Sequence, residues 1–165
     1  MGHDISAYIK TKSNPNPNWE NGKEVAYFRI GAFNTLRKRL FYGIIPNSEG
    51  ANAGVSGDGS TLDYSREDIV SAINACKYFM EDDDALREVI LSQEQRSDAA
   101  SKEFRDLIEG VFGKIETSST DVEESPIDDI REGVAQVWKF CEDILSEYDD
   151  VKKTDETAGI QIYFG

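Results

Sequence analysis

The chain has 165 residues, 39% of them hydrophobic and 30% charged, with a formal net charge of −14 at pH 7. Such a length and balance fit one ordinary hydrophobic core, expected as a single α+β domain over residues 1–165, and exclude global disorder. The charge disfavours direct contact with nucleic-acid phosphates or anionic lipid and favours a basic protein surface as partner. It is also lopsided. Residues 1–60 carry seven Lys/Arg against five Asp/Glu, a net of +2, whereas residues 61–165 carry eleven against twenty-seven, a net of −16. No apolar run approaches the roughly 20 residues that span a bilayer, and no basic-then-apolar leader opens the chain, so no membrane segment and a cytoplasmic location are expected.

In chain order, residues 4–10 alternate, with Ile5, Ala7 and Ile9 on one side and Ser6, Tyr8 and Lys10 on the other. This period of two predicts a half-buried strand. Pro15, Pro17, four Asn and Gly22 make residues 11–23 a loop, from which Trp19 is expected to fold over the core edge. Residues 24–31 form a second strand, with Val25, Tyr27 and Arg29 opposite Ala26, Phe28 and Ile30. A short basic helix follows, with Phe33, Leu36, Leu40 and Phe41 on one side and Arg37, Lys38 and Arg39 between them. Residues 43–60 hold five glycines and one proline without periodicity, a loop of the functional or mobile kind, before a brief strand at 60–64.

Ser65 opens a capping-box pattern in which Asp68 replaces the usual Glu, and the helix it starts runs to about Met80 with Ile69, Ala72, Ile73, Cys76 and Phe79 inward. Glu81–Asp84 place acids where the next helix begins, which suits the positive end of its dipole. Leu86, Val89 and Ile90 continue that helix, and Phe104, Leu107, Ile108, Val111 and Phe112 form a later apolar stripe. Ser125 and Pro126 make a helix start, and Ile127, Ile130, Val134, Val137, Trp138, Cys141, Ile144, Leu145 and Tyr148 give the cleanest helical stripe in the chain. Ile160, Ile162 and Phe164 alternate with Gln161 and Tyr163 as a final strand. The expected fold is α+β: a small antiparallel sheet built from N- and C-terminal strands, with several helices packed on one face.

His3 is the only histidine, so any nucleophile machinery based on histidine must use it. Cys76 and Cys141 read as two buried reduced thiols or, alternatively, as a disulfide or redox pair, and neither has a CxxC neighbour. A zinc site would need His3 and both cysteines to converge without any ligand spacing, so neither metal nor other cofactor is expected. The Met-Gly-His start fits square-planar Cu(II) or Ni(II) and the first six residues fit a myristoylation pattern, but Ile5 as a buried strand residue argues for an anchored start. Residues 54–61, GVSGDGST, lack the lysine of a Walker loop; they read as a flexible connection or as a nest of amides for an anion. Arg29 lies among residues that favour burial and therefore needs a partner. Asp4 on the neighbouring strand is one; a ligand is the other, with His3, Tyr27 and Asn34 nearby. Carboxylates are too numerous for any acid–base pair to stand out, and no residue is assigned as catalytic.

Met1, Gly2 and Asp4, then Glu24, Tyr27, Phe28 and Arg29 in an aromatic strand, then Asn34 on a helix, form a pattern that resembles a group of short bacterial and phage proteins with no assigned activity. GVSG at 54–57 and the aromatic final strand are similar to that group too. The resemblance covers the first 57 residues and implies a bacterial or phage origin and that His3, Asp4 and Arg29 belong together.

Two functions follow as expectations. One is a non-enzymatic interaction or accessory protein whose acidic helical face docks on a basic protein. The alternative is a small-molecule or nucleotide binder, or an enzyme, with a site at His3, Asp4, Tyr27, Arg29, Asn34, Ser56 and Gly57.

Overall fold

Alternating side chains along four short strands build the sheet. In the computed structural model, which describes residues 2–17, 22–31, 35–53, 56–92 and 126–165, these are β1 (Gly2–Lys10), β2 (Glu24–Gly31), β3 (Thr61–Tyr64) and β4 (Gly159–Phe164). The helices are α1 (Thr35–Ile44), α2 (Arg66–Glu81), α3 (Asp83–Ser92) and α4 (Pro126–Lys152), with a 3-10 turn at Glu49–Ala51. The expectations for Trp19, Phe33, the stripe at 104–112 and the cap at Ser125 lie outside the described residues.

The sheet order is β2-β1-β4-β3, antiparallel throughout. Ile5 stands opposite Phe164 and Ala7 opposite Ile162, so the first and last strands form the central pair. Ile5, Ala7, Ala26, Phe28, Ile30, Ile160, Ile162 and Phe164 all point into the core. The helices cover that face, as an α+β fold with a one-sided sheet requires.

Phe28 of β2 anchors α1 and α4 to the sheet, with Phe41 at 4.8 Å and Phe140 at 6.0 Å between ring centroids. Phe140 is buried although the helical stripe read from the sequence passes beside it, and Trp138, on that stripe, is only partly covered. The reason is that α4 packs against α1, α2 and the sheet together, which buries a wider arc than a single stripe. Gly133 sets the approach of α1: a Cβ there would stand 2.9 Å from Leu40 Cδ1.

The starts of α2 and α3 are closed by side chains that the sequence places there. The Ser65 hydroxyl accepts from the Asp68 amide at 3.1 Å and the Asp68 carboxylate accepts from the Ser65 amide at 3.0 Å, a full capping box. Within the acidic run, the Asp82 carboxylate accepts from the Ala85 amide at 3.1 Å and so starts α3. Arg66 and Asp149 join the start of α2 to the far end of α4 through two bonds of 2.9 and 3.2 Å.

The basic helix departs from expectation. Lys38 and Arg39 are buried at 8% and 4% exposure. Arg39 donates to the Ile90 carbonyl at 3.2 Å, one of the last carbonyls of α3, which have no partner within their own helix. A cation at the negative end of a helix is the favourable placement. Burial, and next to it the Arg39 charge, hold the Lys38 amine below its ordinary range.

The glycine-rich stretch is ordered by the final strand. The amides of Gly57 and Gly59 donate to Gly165 and Phe164 carbonyls at 2.9 and 2.8 Å, and the Phe164 amide returns a bond to Ser60 at 2.9 Å. Gly57 is obligatory here, because a Cβ would lie 2.5 Å from the Phe164 carbonyl oxygen. Gly57→Ala is therefore expected to destabilise the fold by roughly 3 kcal/mol in urea unfolding. Gly50→Ala, with nothing within 4 Å of the added methyl, should be neutral or gain up to about 1 kcal/mol.

Candidate functional site

Parity along β1 decides how the sequence-predicted residues are placed. Adjacent strand residues point to opposite faces, so His3 and Asp4 cannot share a surface. His3 lies opposite Ile30 and is fully buried, its Nδ1 2.9 Å from the Tyr42 hydroxyl. Tyr42 in turn stacks on Phe164 at 6.1 Å, and burial raises its phenol far above the usual value. His3 is thus a core residue, bonded to a neutral hydroxyl.

Asp4 and Arg29 are paired in register on the solvent face, 3.9 Å apart, with side chains 53% and 63% exposed. The Tyr27 hydroxyl donates to Asp4 Oδ1. Arg29 is therefore not buried, because its alternation with Phe28 and Ile30 sends it outward. Of the two partners open to it, Asp4 is the one it has. Ser56 and Gly57 are spent within the fold: the Ser56 hydroxyl donates to the Gly57 carbonyl at 3.0 Å, and the Gly57 amide belongs to Gly165. With Asp58 and Ser60 amides also bonded, to Ala51 and to the Asp58 carboxylate, the run is a clasp on β4 and not an anion nest. Asn34 lies outside the described residues. The structure therefore brings Asp4, Tyr27 and Arg29 together and separates them from His3 and the loop amides, so no shared site of those residues forms.

What does form on the solvent face was not singled out from the sequence. Register sets Tyr27, Ser6, Tyr163 and Thr61 in one row across the four strands, with Tyr8, Gln161 and Asp63 in the next. Ser6 and Gln161 are 7% and 6% exposed at its centre. Ser6 donates to Glu24 at 2.7 Å. Gln161 Oε1 is buried and has no hydrogen-bond partner among the described residues. Lys10 and Asp63 close one corner at 3.0 Å, and Asp4 and Arg29 the other. The signal was available: Tyr8 and Tyr163 fall on the polar side of their strands.

Elsewhere the reactive groups are quiet. Both cysteines are free and buried, and burial pushes the Cys76 thiol up to about 12 and raises Cys141 further. Thiols so far above neutrality are not nucleophiles. Among the described residues no group of three or more His, Cys, Asp or Glu is placed to hold a metal ion, and no helix is long and apolar enough to cross a membrane. Comparison with family models, with curated proteins and with solved structures gives no match.

The hydrogen bond to Asp4, followed by partial burial and the Asp4 charge, raises the Tyr27 phenol above its ordinary value. Since the folded value lies above the unfolded one, the contribution of this bond is fully present below the ordinary phenol range while Asp4 is ionised, and is lost as pH climbs through the raised value. Asp4→Asn should lower the Tyr27 ionisation toward the usual value of about 10, read as an earlier phenolate transition by ultraviolet absorbance; an unchanged transition would show that Asp4 does not hold the proton.

Proposed function

We propose that the chain is a non-enzymatic interaction protein, an accessory protein of bacterial or phage type, that docks on a basic protein through the solvent face of its sheet. The observation that carries this reading is the face itself. Three tyrosines, Tyr8, Tyr27 and Tyr163, surround two polar residues that are already out of water, Ser6 and Gln161. Tyrosine and arginine are the side chains that interface centres favour, since each offers a large rigid contact area with a polar tip.

Charge supports the choice of partner. Lys10 and Arg29 are each engaged by a carboxylate on this face, so it carries little field of its own. The −14 of the whole chain supplies the long-range attraction to a basic surface. Lysine and arginine side chains of the partner then find tyrosine ring faces, to which cations are drawn. Steering comes from the acidic helices and contact from the sheet, so the helical acids need not be the docking surface.

A photo-cross-linking residue tests this reading. Placed at Tyr27, 49% exposed on the sheet, it should capture a protein of high isoelectric point from the native host lysate; placed at Tyr78, 56% exposed on α2, it should not. Capture at Tyr27 should fall on Tyr8→Ala and Tyr163→Ala and disappear above about 0.5 M salt. Capture from Tyr78 alone would sink the assignment of the sheet face.

A further inference from the structure

Strand β2 ends the sheet, and its outer side has no neighbour in the strand order. Which of its backbone groups point outward follows from one bonded pair. Asp4 and Gly165 exchange both backbone bonds, at 3.2 and 3.1 Å, whereas Phe164, the residue before, bonds the other way, to Gly59 and Ser60. In an antiparallel ladder such exchanging pairs alternate with pairs that make no bond to each other. Asp4 and Ser6 therefore bond toward β4, and His3, Ile5 and Ala7 bond toward β2. Tyr27 and Arg29 stand opposite Ser6 and Asp4, so their N–H and C=O groups point away from β1. Among the described residues no backbone group meets them there.

Edges of this kind are usually blunted by proline, lysine or short length. β2 has eight residues with neither proline nor lysine, and its pairing with β1 is irregular only at the extra residue Val25 near its start. The opposite edge, β3, has four residues. The long edge is thus the undefended one.

Charge around it is balanced, unlike that of the chain. The charged groups on β2, on the β1 residues paired with it and in the depression of about 170 Å³ between β2 and α4 are Asp4, Glu24, Arg29, Arg37, Lys139 and Asp143. Three acids against three cations give a net of zero, against −14 for the whole chain. A second acidic copy approaching along this edge meets no net charge.

We infer that β2 pairs with β2 of a second copy, antiparallel about a two-fold axis at Phe28, so that two four-stranded sheets become one. A two-fold interface must be complementary to itself, and this register is. The outward-pointing residues carry odd numbers, so they meet only in registers that set odd against odd. Centring on Phe28 sets Tyr27 opposite Arg29 of the second copy and Arg29 opposite its Tyr27, each pair closing two backbone bonds. Each guanidinium then lies beside a tyrosine ring on the solvent face, a favourable cross-strand pair. Centring on Arg29 would oppose two guanidinium groups, and centring on Tyr27 would set Arg29 against Val25. The tyrosine face stays uncovered and is doubled, so the inference does not depend on which protein docks there.

Sedimentation equilibrium of the purified chain reads the dimer directly. It should form in the micromolar range and tighten as salt rises, because salt screens the repulsion between two chains of −14. Docking of a basic protein weakens with salt, so the two interfaces fail separately. Arg29→Pro removes an amide that points out of the ladder; circular dichroism should show the fold kept while dimer affinity falls at least about tenfold. Cysteine pairs test the register without a proline. Tyr27→Cys and Arg29→Cys chains mixed under mild oxidation should cross-link, since Cα atoms of a bonded pair stand about 5.5 Å apart, within disulfide reach. Either chain alone should stay uncross-linked, and the native Cys76 and Cys141 are buried out of the reaction. A chain that stays monomeric into the millimolar range, a dimer indifferent to a folded Arg29→Pro variant, or self-cross-linking of either cysteine variant as fast as in the mixture overturns the proposal.

Discussion

Antiparallel pairing of β1 with β4 is the constraint on which the rest of the structure depends. It sets Ile5 against Phe164 and Ala7 against Ile162, and with them the central stripe of the core. The same pairing decides which residues face water, because strand parity leaves no choice once Ile5 points inward. Asp4, Ser6 and Tyr8 are thereby committed to the open face, and His3 to the core. The loop at 56–60 reinforces this pair from just before β3, by giving the amides of Gly57 and Gly59 to the carbonyls of Gly165 and Phe164 at the end of β4. Structure and surface chemistry thus come from one register.

Buried polar groups in the helical layer show a second economy. Arg39, Ser48 and His3 each sit out of water and each bonds an atom that would otherwise be an orphan or a loose end: the Ile90 carbonyl, the Ile45 carbonyl and the Tyr42 hydroxyl. Leaving such groups unmet costs roughly 1–3 kcal/mol apiece, so these contacts specify how α1 and the turn after it sit against α3 and the sheet. The basic character of α1 therefore serves packing as much as solubility.

The strands and the caps were legible because they are local. Alternation in residues 4–10 and 24–31 marks β1 and β2, Ser65 with Asp68 marks the start of α2, and Pro126 marks that of α4. The pairing of the two terminal strands was also legible, since neither can bury its apolar side alone. What depended on distant partners was not. Nothing near Arg39 announces the carbonyl of Ile90, and nothing in a run of glycines announces that its amides will be taken by Gly165. Within the site, the Asp4–Arg29 pair could be read from adjacent strands, whereas grouping His3 with it ignored the period of two. The tyrosine face escaped because its members come from three strands that are scattered in sequence.

The placement of β4 beside β1 also has a kinetic side. The two central strands come from opposite ends of the 165-residue sequence, and closing a loop of that order costs about 4–5 kcal/mol in chain entropy before any contact repays it. Until β4 arrives, β1 has an unsatisfied edge and β3 has no partner. Such a hairpin, apolar on one side and open along one edge, is the form of intermediate that recruits foreign strands. A chain made from β1 onward leaves that edge open until β4 is synthesised, the order of events that makes such non-local pairing slow.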